Sequence, residues 1–278
     1  LKNVVLAFLE CYFNQLTSIN VTKNTALTTL FCWNNSLTSL DVTKNRVLTN
    51  LNFNSNQIAS LDVTKNSLLL TLNCSSNNIQ SLDIAKNLSL TSLHCWKNKI
   101  TSLDVSKNTS LNYLVCYDNK LTSLDVSKNM ALIYLDCKSN QISSLDITKN
   151  SALFSLDCGS NQITSLDVTA NTALTFFNCG INSLTSLNLK NGNNINFENN
   201  NNSYNISYKN NPNLTCIQVD DVAYSNANWG GFKDATASYS ASCPIVQYTL
   251  IPDLNFEKKL IALGIDSGTT DGKVLTSK

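Results

Sequence analysis

TSLDVSKNTSLNYLVCYDNKLTSLDVSKN, residues 101–129, writes SLDVSKN twice, twenty-one positions apart, and says something different in between. Working outward from it, alignment on L-x-x-L-x-C-x-x-N-x-L finds nine copies at the same step, with Cys11, Cys32, Phe53, Cys74, Cys95, Cys116, Cys137, Cys158 and Cys179 in one column. A fixed step over many copies predicts units that stack, because one such unit cannot bury enough apolar surface to order its own backbone. SLDVSKN is constant because every copy rests on the same copy. In the copy that starts at Leu111, the residues Leu111, Leu114 and Cys116 fall on the inner side of a short strand, and Tyr113, Val115 and Tyr117 on its outer side. Leu124 to Val126 alternates again and predicts a second extended segment on the opposite long side. Coils paired as parallel strands lie about 4.8 Å apart, so nine of them make a rod of about 40 Å.

The 278 residues are 42% hydrophobic and 14% charged, with a net charge of +1 and Lys and Asp interleaved rather than blocked. That balance gives no electrostatic reason to expect nucleic acid or an anionic membrane surface as partner. No run approaches the roughly 18 apolar residues of a membrane helix, and no basic-then-apolar leader opens the sequence. Leu1-Lys2-Asn3 matches the T-K-N of later copies, so the array is expected to be cut at its N-terminal side. The division expected is an array over 1–191, a degenerate repeat and cap over 192–243, and a linker with the start of a further module over 244–278.

Three further columns repeat. Asn14, Asn35, Asn56, Asn77, Asn98, Asn119, Asn140, Asn161 and Asn182 stand where a side-chain amide can satisfy backbone groups at a corner. The Asp column from Asp41 to Asp167 would repel itself at the stacking distance, and a lysine three residues on, from Lys44 to Lys149, is expected to offset this. Each Asp lacks a second carboxylate in its own repeat, so the ladder makes a poor metal site. The eight array cysteines occupy a position that otherwise takes a large hydrophobe, as Phe53 does, and are expected to be free, buried thiols. Parallel Cβ vectors in single file suit neither bridging nor tetrahedral metal. Cys216 and Cys243 lie outside the array and are expected to pair, closing a cap and implying an oxidising compartment; two unrelated free thiols are the alternative.

In the tail, Asp253 can cap a helix near 253–263 in which Phe256, Leu260 and Leu263 share a side and Gly264 ends the run. Asp266 to Gly272 has a faint calcium-loop look, but its first, third and fifth positions do not alternate oxygen donors.

The period falls within the range of leucine-rich repeats. With Cys in a Leu position and LDVSKN or LDVTKN closing each turn, the copies resemble the 21-residue cysteine-ladder repeats of the internalin J type. Together with NPNLTCIQVDDVAYSNANW (211–229), SCP (242–244) and IPDLNFEKKLIALGIDS (251–267), the chain is similar to large secreted leucine-rich repeat proteins of flavobacteria and related Bacteroidetes. That resemblance implies an extracellular or cell-surface location, type IX secretion of the parent, and further repeats of the same parent chain beyond Lys278. The fold class expected is therefore a leucine-rich repeat solenoid, β-rich, with parallel strands on one or both long sides, an irregular disulfide-closed C-terminal cap and a short following helix.

Function is expected where the letters drift. Outward aromatics gather in two places, Phe8, Tyr12, Phe13, Phe31 and Trp33, and His94, Trp96, Tyr113, Tyr117 and Tyr134. Asn54 and Ser75 occupy the Trp33 and Trp96 column elsewhere, so stacking of the fold does not demand a ring there. Patches of outward aromatics mark partner surfaces, although neighbouring rings can also simply stack on one another. The candidate ligand-binding residues are His94, Trp96, Tyr113, Tyr117, Tyr134, Tyr12, Phe31 and Trp33. Catalysis finds little support: the single histidine, His94, is next to a cysteine on the opposite side of the strand, and no phosphate loop or zinc spacing is present. Asp136 and Asp157, neighbours in one outward column, are expected on an open surface with no cleft to shift a pKa. The reading is a non-catalytic secreted or cell-surface recognition or adhesion module, without cofactor or metal, binding protein or glycan through the outward strand face. The alternative is a structural spacer or filament component of a large surface protein.

Overall fold

The computed structural model describes residues 3–198, 206–244, 247–250, 253–263 and 273–276. The chain divides into two compact units, Leu1–Ala241 and Ser242–Lys278.

The first unit is a right-through stack of coils. Ten strands form one parallel sheet: β1 (Phe8–Glu10), β2 (Thr29–Phe31), β3 (Asn50–Asn52), β4 (Thr71–Asn73), β5 (Ser92–His94), β6 (Tyr113–Val115), β7 (Tyr134–Asp136), β8 (Ser155–Asp157), β10 (Phe176–Asn178) and β12 (Ile206–Ser207). A second sheet on the other long side holds β9 (Ser165–Asp167), β11 (Ser186–Asn188), β13 (Cys216–Gln218) and β14 (Ser238–Ser240). Register is strict, each strand's central residue opposite the next: Leu93 faces Leu114, Leu114 faces Leu135, Leu135 faces Leu156. These leucines, the Cys column from Cys32 onward and the Val or Ile of the second side make one continuous core. In the first described coil Leu9 and Cys11 are half-buried. The second extended segment becomes a hydrogen-bonded strand only in the last coils, from Ser165 onward among the described residues.

Each strand lasts three residues because the chain must then turn back. The turn is made by a residue in left-handed conformation, from Phe13 (φ 51°) through Ile181 (φ 57°) to Asn210 (φ 61°), and none of these ten is glycine. Such a conformation disfavours residues with a Cβ by about 1–2 kcal/mol; here the inter-coil ladder holds it, as in Lys97 N–H donating to Tyr117 O at 3.0 Å. The next residue is always the Asn of the corner column. Asn98 donates through Nδ2 to Cys74 O and Cys95 O, both at 3.1 Å, and accepts at Oδ1 from Ile79 N–H at 3.0 Å. A single amide thereby ties two coils, as the column's constancy suggests.

A second asparagine, the last letter of SLDVSKN, forms a ladder that the sequence reading did not single out. Asn108 is fully buried and donates to Ile84 O at 3.1 Å and Asn87 O at 2.8 Å in the preceding coil.

The Asp column has a further role beside the expected lysine offset. Asp41 Oδ1 accepts from Thr43 N–H at 2.9 Å and Thr43 Oγ1–H at 2.7 Å, and Asp62 repeats the pattern with Thr64. These bonds, side chain first and backbone second, hold the Asp41 and Asp62 carboxyls below the usual range, with the lysine charge a smaller contributor. Among the described residues the column makes no ion pair; the carboxylates are held mainly by their own turns, and the Lys44 and Lys128 charges outweigh the repulsion of the neighbouring Asp62 and Asp146, as expected.

After the ninth copy the period breaks. Leu184 N–H reaches its corner acceptor, Asn211 Oδ1, 27 residues on, where Ile163 N–H reaches Asn182 Oδ1 at 19. Eight extra residues are thus looped out without loss of the corner, and Tyr208, fully buried, takes the place a Cys holds in earlier coils. The core is then closed by rings: Trp229, fully buried, lies against Phe197 (5.7 Å), Tyr224 (5.9 Å) and Tyr239 (6.1 Å) between centroids. Tyr239 Oη donates to Trp229 O at 2.8 Å, and a short helix, α1 (Val222–Asn228), capped by Asp221, leads into Trp229.

Cys216 and Cys243 are disulfide-bonded, and the eight array cysteines are free thiols. Burial pushes the Cys32 and Cys74 thiols up to about 12 and holds Cys95 and Cys137 higher still. Because the thiolate is the reactive form, the native protein is expected to leave all the array thiols except the half-buried Cys11 untouched by a thiol-specific reagent at pH 8. In denaturant without reductant all eight should react. Rapid labelling of several thiols in the native state would contradict this packing.

In the second unit, β15 (Gln247–Leu250) pairs antiparallel with β16 (Lys273–Thr276), and α2 (Leu254–Ala262) starts at Asp253, whose carboxylate accepts from Asn255 N–H at 2.8 Å. The helix is where the spacing predicts it, but its expected apolar side is not its buried one. Phe256 and Leu263 are exposed while Glu257 is buried, since packing and not composition chooses the covered side of a two-turn helix. Gly264 and the Asp266–Gly272 stretch lie outside the described residues.

Candidate functional site

The outward face of the ten-stranded sheet carries the drifting letters, and strict register turns each column into a file of side chains spaced by one coil. Two files cross the middle of the face. In one, Tyr113 stacks on Tyr134 (4.3 Å, 8°), and His94 from the adjacent column lies across Tyr113 (5.2 Å, 30°). In the other, Trp96 stacks on Tyr117 (5.1 Å, 6°), and Lys138 places its ammonium 4.9 Å from the Tyr117 ring centre. All five candidate aromatics are therefore brought together, and all are half-buried. Tyr113 has both ring faces covered, as does Tyr117. These two rings are left with edges and hydroxyls; burial and the nearby Asp136 carboxylate push the Tyr134 phenol up to about 12, so it stays a proton donor across the physiological range.

Tyr12, Phe31 and Trp33 form a separate group on the first two coils. Tyr12 stacks on Trp33 at 4.7 Å, Phe13 meets Trp33 edge-on at 4.4 Å, and Phe31 meets Phe8 edge-on at 6.0 Å. The polar coils of β3 and β4, with Asn50, Asn52, Asn54, Thr71, Asn73 and Ser75, separate the two groups.

Asp136 and Asp157 correct their expectation. They are 4% and 7% exposed, not open, and share the Lys138 ammonium at 3.2 Å each. Burial first, then the neighbouring Asp157 charge, raises the Asp136 carboxyl above its ordinary value. Flanking side chains of this face cover the carboxylates, which is also why Val115, outward in its strand, is buried. The pair acts as a buried ion cluster. Asp157 Oδ1 further accepts from Gly159 N–H at 3.1 Å and Asn178 Nδ2 at 3.0 Å, so both its oxygens are engaged. His94 has its pKa lowered by burial, and Cys95 faces the core, so no nucleophile and base meet there. Among the described residues no group of three His, Cys, Asp or Glu could hold a metal ion.

Beyond Lys138 the second file loses its side chains. Gly159 and Gly180 follow, and Lys209 closes the series, leaving a depression of about 490 Å³ whose walls include Lys138, Asn178, Ser207, Lys209, Ile181 and Phe232. The sequence reading missed this feature. Its signal was present: two consecutive glycines in the column that elsewhere holds Trp, Tyr or Lys.

Comparison with solved structures places this fold. The leucine-rich repeat domain of internalin J from Listeria monocytogenes, which includes a cysteine ladder, is 40% identical with a TM-score of 0.66, over 78% of this chain and 45% of that one. A leucine-rich repeat protein of Leptospira interrogans is 21% identical (TM-score 0.62), over 84% of this chain and 59% of that one. The Arabidopsis receptor kinase HAESA, solved in complex with the peptide hormone IDA and the co-receptor SERK1, is 16% identical (TM-score 0.61), over 79% of this chain and 39% of that one. The chain thus spans about half the length of the first two. Neither family models nor curated protein sequences give a match. The first unit is a leucine-rich repeat solenoid with a cysteine ladder, the chain carries one disulfide near its C-terminal end, and no helix among the described residues is long and apolar enough to cross a membrane.

Proposed function

We propose that this solenoid is a non-catalytic recognition module of a secreted or surface-exposed protein, and that it binds a protein partner through the outward face of the ten-stranded sheet, centred on His94, Trp96, Tyr113, Tyr117 and Tyr134. The observation that carries the reading is the orientation of the rings. Sugars stack on aromatic faces, and here the inner faces are taken by neighbouring rings and by Lys138. At Tyr113 and Tyr117 edges and hydroxyls remain, which suit backbone carbonyls, carboxylates and edge-on rings of another protein. The fold shared with a receptor ectodomain solved with a peptide hormone supports the same class of ligand, and the disulfide supports an oxidising, extracellular setting.

A surface-protein array probed with this chain supplies the partner. Replacing Trp96, Tyr117 and Tyr134 together with Ser should weaken that binding at least 30-fold, as the loss of a central aromatic anchor does. The melting temperature should move little, because Asn54 and Ser75 already fill the Trp96 column in stable coils. Unchanged affinity in the triple variant would refute the assignment. Should the array yield no partner while the protein forms end-to-end fibres, the spacer reading replaces it.

A further inference from the structure

We propose that the margin formed by Lys97, Lys99 and Lys120 binds an acid-rich segment of a protein partner; the inference rests on the protein-binding reading above and names the chemistry that partner presents. The residue after the corner asparagine is neutral and polar, such as Gln57 or Gln141, in seven of the nine copies. It is lysine only at Lys99 and Lys120, in the two coils that also carry Trp96 and Tyr117. Stacking makes no demand for charge there, since the other seven copies do without it. In the column of left-handed turns Lys97 is the one cation, and its ammonium lies 5.6 Å from the Trp96 ring centre. The basic margin and the aromatic file thus occupy the same coils.

The donors at this margin are unspent. Lys99 and Lys120 come from adjacent coils, about 4.8 Å apart, and line a surface depression of about 500 Å³ with Gln80, Ser81 and Thr101. None of these five side chains makes a hydrogen bond or an ion pair among the described residues. Lys138 differs, being held by Asp136 and Asp157. Asp118 follows Lys97 in the turn column and pairs with neither Lys97 nor Lys120. Two like charges at one coil's spacing repel each other, and a carboxylate between them relieves that repulsion while accepting from the hydroxyls and the amide. At the opposite margin of the sheet Ile133 and Phe154, just before β7 and β8, are 49% and 48% exposed. A uniformly charged polyanion would leave these apolar groups without a counterpart. A protein segment can set apolar side chains beside Tyr134, Ile133 and Phe154 and carboxylates on the lysines.

Random dodecapeptides displayed on phage, selected on the whole chain and then measured by fluorescence anisotropy, test this. Enriched sequences should combine a run of Asp and Glu with apolar residues. Lys99→Glu together with Lys120→Glu should weaken the best peptide about tenfold or more, as should a rise from about 50 to about 300 mM salt. Both lysines are exposed, so the double variant is expected to keep its melting temperature. The same change at Lys65 and Lys86, each three residues after a repeat Asp, should leave the affinity unmoved. Binding lost in the Trp96, Tyr117 and Tyr134 variant but kept in the lysine variant would refute the acidic partner and leave the protein-binding reading standing. The reverse pattern would uphold the basic margin and remove the aromatic centre from that reading. Enrichment of neutral or basic peptides, no enrichment at all, or heparin fragments that bind more tightly than the peptide through the same two lysines would overturn the assignment.

Discussion

Asn98→Ala is expected to destabilise the solenoid by about 1–3 kcal/mol in equilibrium denaturation, more than a single surface asparagine could be worth. The side chain touches neither solvent nor ligand. It holds Ile79 N–H at 3.0 Å and two carbonyls, Cys74 O and Cys95 O, at 3.1 Å. Removing it leaves one buried donor, Ile79 N–H, without an acceptor, at about 1–3 kcal/mol, while Cys74 O and Cys95 O keep the Asn77 and Asn119 amides at 3.2 and 3.0 Å. The control lies in the same column. Asn14, exposed in the first coil, donates only to Cys11 O and Tyr12 O of its own turn. Asn14→Ala should therefore cost under about 1 kcal/mol. Equal losses at the two positions would mean that the corner amide acts within a coil and not between coils.

Trp229→Ala should cost about 3–5 kcal/mol, the range for deleting a large buried ring, and its effect should be local. Trp229 closes the last coil against Phe197, Tyr224 and Tyr239, and its own carbonyl receives the Tyr239 hydroxyl. In a solenoid each coil contacts only its neighbours, so an uncapped end frays without dissolving the middle. Hydrogen exchange should accelerate in β12, β13 and β14 while β4 to β7 keep their protection. Uniform acceleration would show the array to be one cooperative unit in which the cap has no special place.

Most of the first unit could be read from its letters. The 21-residue step, the inward Leu and Cys columns and the corner asparagines all appeared in the sequence because every coil meets the same surroundings, so every coil needs the same residue. The pairing of Cys216 with Cys243 was legible by position, outside the ladder. The Asp column was legible only in part for a related reason: a column reports that a residue type is required, not which atoms it serves. Asp41 serves the Thr43 N–H and hydroxyl two residues away, and the lysine that accompanies it in the motif is not its partner.

The candidate site was legible as a list and not as a surface. Which residues point outward follows from the two-residue alternation of a strand, and so His94, Trp96, Tyr113, Tyr117 and Tyr134 could be named from the sequence. Whether they offer faces or edges depends on contacts between residues 21 apart in unlike coils, and no periodicity encodes those. The same holds for Asp136 and Asp157, which look open in a list and are buried under their neighbours, and for Gly159 and Gly180, which mean a depression only because Lys138 and Lys209 stand on either side. Sequence alone decided the stack, since repetition is itself the physical condition for coils to bury one another. Tertiary structure alone decided the character of the outward face, since its properties arise from differences between adjacent coils brought to about 4.8 Å.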